Sequence, residues 1–139
     1  MTSKYTYKNV AISAGGRSGL TRIAAALGNI NLGNFLPDFT AYEELFEAFK
    51  YFLPIPMVIQ VKNSFRPSAS KLDEKVVARG LGAIIMSNPY NLTGHVAMGK
   101  DLDDFVKIAR DRQCVQIYDE FYSHYVYNAD ITLTSAASL

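Results

Sequence analysis

The sequence predicts an α/β layer fold, and three observations carry that prediction. Short apolar runs alternate along the chain with segments of helical period. Glycine, proline and asparagine stand at the junctions between them, at Gly15-Gly16, Gly28, Pro37-Asp38, Gly80 and Asn88-Pro89. The 139 residues suit one domain, and 49% hydrophobic against 19% charged residues is the balance of an ordinary globular core.

The elements follow in order. Val10 to Ser13 is a short strand candidate that stops at Gly15-Gly16. Leu20, Ile23, Ala24 and Leu27 then fall on one face of a helix that ends at Gly28. Ile30 to Phe35 reads as a strand, broken by Pro37-Asp38. Thr40-Ala41-Tyr42-Glu43 has capping-box spacing and opens a helix with an apolar stripe of Leu45, Phe46, Phe49 and Phe52.

Met57 to Val61 is the next strand, Asn63 to Ser70 a connection, and Lys71 to Arg79 a short helix that stops at Gly80. Ala83 to Ser87 is an apolar strand running into Asn88-Pro89. Lys100 to Arg112 forms a helix with Leu102, Phe105, Val106 and Ala109 on one face. Its aspartates Asp101, Asp103 and Asp104 lie near the start, and Arg110 and Arg112 near the end, as the helix dipole favours. Cys114 to Tyr118 is the last strand, and Thr132 to Leu139 has no terminating element.

Charge and cysteine content exclude several function classes. Fourteen Lys and Arg against thirteen Asp and Glu leave a net charge of +1, with the basic residues scattered, so neither nucleic acid nor an anionic membrane is an expected partner. Cys114 is the single cysteine, which rules out an intrachain disulfide and a cysteine-based zinc site. The apolar stretch from Tyr51 to Ile59 is too short to span a bilayer and contains Pro54 and Pro56. MTSKYTYKNV lacks the apolar run of a secretory signal. Asn91-Leu92-Thr93 matches a glycosylation sequon, which matters only in a secreted protein. These features describe a soluble cytoplasmic chain. His95 and His124 lie far apart without a carboxylate or cysteine pattern, and no metal site is expected.

Three segments could carry chemistry. Gly15-Gly16-Arg17-Ser18-Gly19-Leu20 leads into a helix, where free N–H groups and a positive dipole end make a phosphate cup. A tight turn would read the same way. Asn88-Pro89-Tyr90-Asn91-Leu92-Thr93-Gly94 follows a strand, at the sheet edge where ligands bind in doubly wound folds, although Asn-Pro is also a common turn pair. Asp119-Glu120-Phe121-Tyr122 ends another strand. There a carboxylate can hold a ring nitrogen protonated and a phenol can donate to a ring oxygen; a helix cap is the plainer alternative.

In their order and spacing these segments resemble the pyridoxal-phosphate-dependent aminotransferases of classes I and II, over nearly the whole chain. Asn88 to Gly94 resembles the N-P-x-N-P-T-G signature, Asp119 to Tyr122 the D-E-x-Y motif, and Pro37 to Tyr42 the P-x-Y-x-x-Y segment. The 28 positions from Asn91 to Asp119 suit the family. Leu92 stands where the signature usually has proline, and Phe39 replaces the commoner tyrosine or tryptophan.

The resemblance implies part of the family's fold-type-I large domain, a mostly parallel sheet with helices on both faces. It implies pyridoxal 5'-phosphate as cofactor, an amino acid and a 2-oxo acid as substrates, and a homodimeric parent enzyme. Gly16 and Arg17 would hold the phosphate through their N–H groups, with Ser18 assisting. Phe39 would cover the pyridine ring, Asn91 and Tyr122 would bind its phenolic oxygen, and Asp119 would pair with its nitrogen.

The family's covalent lysine lies a few tens of residues beyond the aspartate. The chain's lysines, at 4, 8, 50, 62, 71, 75, 100 and 107, all precede Asp119 and match no such motif. The expectation is therefore a partial domain over residues 1–139, without its catalytic lysine or the C-terminal domain and inactive alone. Two alternatives stay open: a truncated relative serving as a binding or assembly module, and another fold-type-I enzyme such as a lyase or a decarboxylase.

Overall fold

The structure, a computed structural model, describes residues 5–47, 52–60, 64–125, 127–128, 132 and 135–139. Among these residues four strands alternate with four helices: α1 (Gly16–Leu27), β1 (Ile30–Leu36), α2 (Ala41–Glu47), β2 (Phe52–Val58), α3 (Ala69–Arg79), β3 (Leu81–Ser87), α4 (Lys100–Arg112) and β4 (Val115–Asp119). The strands form one parallel sheet in the order β2-β1-β3-β4.

Helices cover both faces, as the sequence predicts. On one face Leu20 and Ala24 of α1 and Tyr42 and Phe46 of α2 pack on Leu32, Ala83, Ile85 and Ile117. On the other, Leu72 and Val76 of α3 and Leu102 and Phe105 of α4 pack on Phe35, Met57, Ile84 and Met86. Alternate residues of each strand thus serve opposite cores, which is why β3 is apolar almost throughout. The close approach of strands leaves Gly33 no room for a side chain: an added Cβ would stand 2.8 Å from the Leu81 side chain and 3.0 Å from that of Met57.

Element ends follow local chemistry. Ser68 caps α3, which stops at Gly80 in the left-handed region (φ 58°). Helix α4 spans Lys100–Arg112 as expected, with acidic residues in its first turn and arginines in its last. Helix α1 ends at Gly28 (φ 74°). The chain closes on a 3-10 turn, Ala136–Ser138, where no element was expected.

Three expectations need correction. Val10 to Ser13 is not a strand: Tyr7–Asn9 forms a capped 3-10 turn, and Val10 and Ile12 follow it at 65% and 89% exposure. Central β1 already has β2 and β3 as neighbours, so that run finds no partner there. Phe52 opens β2 rather than completing the stripe of α2, while Phe49 lies outside the described residues. Strand β2 also starts five residues earlier than Met57 and takes in Pro54 and Pro56, which an edge strand tolerates because its outward positions need no donor. Val61 lies outside the described residues.

Candidate cofactor site

The parallel sheet delivers β1, β3 and β4 to one edge, and the turns leaving their C-terminal ends meet the start of α1. Between them lies a cavity of about 300 Å³ lined by Gly16, Arg17, Leu20, Phe39, Tyr42, Ser87, Asn91, Asp119, Phe121 and Tyr122. Six of the seven residues singled out from the sequence therefore line one space. Ser18, in the first turn of α1, stands outside the lining.

Helix α1 opens on Gly15, whose φ of 86° and ψ of 161° suit glycine, and no side chain caps it. Its first intrahelical bond runs from Gly19 N–H to the Gly15 carbonyl at 3.2 Å. The amides of Gly16, Arg17 and Ser18 therefore lack partners within the helix, and the positive dipole end points with them. An added Cβ on Gly16 would meet nothing within 4 Å, so the backbone there is open to a ligand. The Arg17 guanidinium lies 5.9 Å from the centroid of the Phe39 ring, a cation–π contact across the mouth.

Phe39 follows β1 through Pro37 and Asp38 and meets Tyr42 edge-on, with ring centroids 5.4 Å apart. Asn91 sits in the turn after β3. Its neighbour Asn88 is fully buried and clamps Ala97 from both sides, Nδ2 to the carbonyl at 3.0 Å and Oδ1 from the N–H at 2.9 Å. Asn88 is thus the structural asparagine of the pair, and Asn91 is the one that faces the cavity. Leu92 takes φ 69°, a backbone that the fixed φ of proline excludes, so its departure from the family signature is also a departure in geometry.

Asp119 ends β4 opposite Ser87. The helix cap that the sequence also allowed is a turn instead, since among the described residues no helix follows directly on Asp119. Oδ1 accepts the Phe121 N–H at 3.2 Å, as a turn-forming aspartate does, and Oδ2 accepts the Tyr42 hydroxyl at 2.9 Å. Tyr122 follows in that turn, its ring edge-on to Phe121.

Three lining or supporting residues had no role assigned from the sequence. Tyr42 is buried, and burial followed by the charges of Asp119 and Asp38 pushes its phenol well above the ordinary range, so it serves as a hydroxyl donor. Ser87 lines the cavity at the end of β3. Asp38 is 3% exposed; burial raises its pKa, against the pull of hydrogen bonds from Ser87 and Phe39. Tyr42 carried a signal, standing three positions after Phe39 in the recognised segment. Asp38 and Ser87 carried none, because their partnership spans 49 positions.

Among the described residues no lysine lines the cavity, and no group of three or more His, Cys, Asp or Glu is placed to hold a metal ion. Nor is any described helix long and apolar enough to cross a membrane. Burial lowers the pKa of half-buried His95, which packs on Tyr90, and raises that of Cys114 to about 11, so its thiol is unreactive at neutral pH.

The same arrangement of strands and turns occurs in known proteins. The chain is similar to an aspartate aminotransferase of Pyrococcus abyssi, 34% identical over 86 residues that make up 62% of this chain and 22% of that protein. An aspartate aminotransferase of Sulfolobus acidocaldarius is 27% identical across 91% of this chain and 33% of its own length. In structure, aspartate aminotransferase from Thermus thermophilus with maleate superposes with a TM-score of 0.76 at 20% identity, covering 84% of this chain and 31% of the other. The chain thus spans about a fifth to a third of the relatives it matches. The family description "Aminotransferase class I and II" fits residues 3–138, a span that takes in every segment meeting at the cavity, so this chain belongs to the class I and II aminotransferases.

Proposed function

We propose that this chain supplies the cofactor-holding part of a pyridoxal-phosphate-dependent aminotransferase, acting on an amino acid and a 2-oxo acid. The observation that carries the reading is the meeting of an uncapped helix start, an aromatic ring, an amide and a carboxylate around one cavity. The donor set fits the group. The Gly16 and Arg17 amides would take the phosphate, with Ser18 at the rim, and the Phe39 ring would cover one face of the pyridine. Asn91 and Tyr122 would hydrogen-bond the phenolic oxygen. Asp119 keeps lone pairs free after accepting from Tyr42 and Phe121, and these would hold the ring nitrogen protonated.

When bound, the cofactor supplies a protonated pyridine ring that withdraws electrons from a substrate carbon. The chain's own contribution is orientation. Tyr42 fixes the Asp119 carboxylate from one side and the Phe121 amide fixes it from the other, so its charge stays aimed into the cavity. The working form in this reading is a homodimer, as the resemblance implies, in the cytoplasm, as the absence of a signal-like run in the first ten residues suggests.

Pyridoxamine 5'-phosphate needs no lysine and is the suitable probe. The chain should bind it saturably at one site, and Asp119→Ala should weaken binding by about 10- to 100-fold, the loss of one charge-assisted hydrogen bond. Absence of saturable binding up to about 1 mM, equivalent to roughly 4 kcal/mol, would defeat the reading. With pyridoxal 5'-phosphate, borohydride reduction and mass spectrometry should find no stoichiometric adduct on any one lysine. Such an adduct would mean that the covalent nucleophile lies within this chain.

A further inference from the structure

We infer that Asp38, which lies just outside the cavity, is a positioning residue that locks the Phe39 turn and the Asn91 turn to each other through the Ser87 hydroxyl. Its carboxylate accepts the Phe39 N–H at 2.7 Å, the Ser87 N–H at 2.9 Å, and the Ser87 hydroxyl in a short bond. The Ser87 oxygen in turn accepts the Asn91 N–H at 2.7 Å. One buried carboxylate thereby connects the residue that follows it after β1 to a residue in the turn after β3. Phe39, Ser87 and Asn91 line the cavity, whereas Asp38 does not.

The polarity of the relay is fixed. The Asn91 amide can only donate, so Ser87 Oγ is an acceptor on that side, and the single hydroxyl proton is left for Asp38. A carboxylate suits the other end because it accepts without needing to donate. A bond to the next residue's amide is ordinary turn chemistry, but the two bonds to Ser87 join adjacent strands across 49 positions. A buried carboxylate is costly unless its oxygens are satisfied, and here three donors satisfy them. The Tyr42 hydroxyl is given to Asp119 Oδ2 while its oxygen also lies within hydrogen-bonding reach of the Ser87 side chain, and Asp119, the nearby acid, can only repel Asp38.

The consequence for ligand binding rests on the cofactor reading above; the coupling of the two turns does not. The test has two readouts on the 139-residue chain: amide hydrogen exchange by NMR, and binding of pyridoxamine 5'-phosphate with the induced circular dichroism of its absorption band. Asp38→Asn should speed exchange about tenfold or more at Asn91, which it does not touch, as well as at Ser87 and Phe39. Ser87→Ala should do the same at Asn91, and Ser87→Thr, which keeps a hydroxyl, should restore it. Both disabling variants should weaken ligand binding about tenfold and reduce the induced dichroism, with recovery in Ser87→Thr.

Unchanged Asn91 exchange in Asp38→Asn, or in Ser87→Ala should the first variant not fold, would overturn the link. Ser87→Ala binding the ligand with native affinity and full dichroism would overturn its role in positioning. A wild-type chain that does not bind the ligand would instead remove the cofactor reading, and Asn91 exchange alone would then decide the link.

Discussion

Helix α3 begins on Ser68, whose hydroxyl accepts the Lys71 N–H at 3.5 Å, while α1 begins on Gly15, which has no side chain to offer. The first turn of α1 contains no acidic residue and carries Arg17, a cation at the positive end of the dipole. Helix α4 also starts on a glycine, but Asp101 and Asp103 sit in its first turn. Against a capped helix, the start of α1 forgoes a few tenths of a kcal/mol from its glycine cap and about 0.3–1 kcal/mol from the cation at its positive end. The difference separates a helix built to hold the fold from one left open toward a cavity. Local stabilisation is given up where an anion would supply the missing partner.

This contrast can be broken by substitution. The largest effect expected is on ligand binding by Gly16→Asp, which has room for its side chain and sets a carboxylate in the anion's place. Like charges in contact cost several kcal/mol, so pyridoxamine 5'-phosphate should bind more than about 100-fold more weakly by calorimetry, while the thermal midpoint holds or rises. Native affinity in this variant would mean that the phosphate sits elsewhere.

Next, Gly15→Ala should destabilise the chain by about 1–3 kcal/mol in denaturant titrations. The added methyl meets nothing within 4 Å, so the loss would come from the backbone at φ 86° alone. Smallest, Ser68→Ala should cost about 1 kcal/mol and leave ligand affinity unchanged. A change in affinity there would erase the distinction between the two helix starts.

Much of this was legible in the sequence because it is local. The helical period of α1 and α4, the end residues of α3 and α4, and the apolar runs of β1 and β3 depend on neighbours a turn away. The turns carrying Phe39, Asn91 and Asp119 were legible too, since each follows an apolar run and a parallel sheet brings such ends together. What was missed depends on distant partners. Val10 to Ser13 reads as a strand but finds no neighbour beside β1. Pro54 and Pro56 fall before the strand expected at Met57, and belong to it only because β2 lies at an edge. Asp38 reads as a turn residue until β3 brings Ser87 to it.

Those two prolines also give the sheet a direction of growth. They sit at alternate positions of β2, so both missing donors fall on the same side, the side away from the ladder to β1. A strand from another molecule approaching that margin would find gaps at two successive contact points. The opposite margin, along Val115–Asp119, has no proline, and among the described residues no strand pairs with it. Self-association by edge pairing is therefore blunted along the β2 flank, so a charged residue introduced to limit aggregation is not needed on β2.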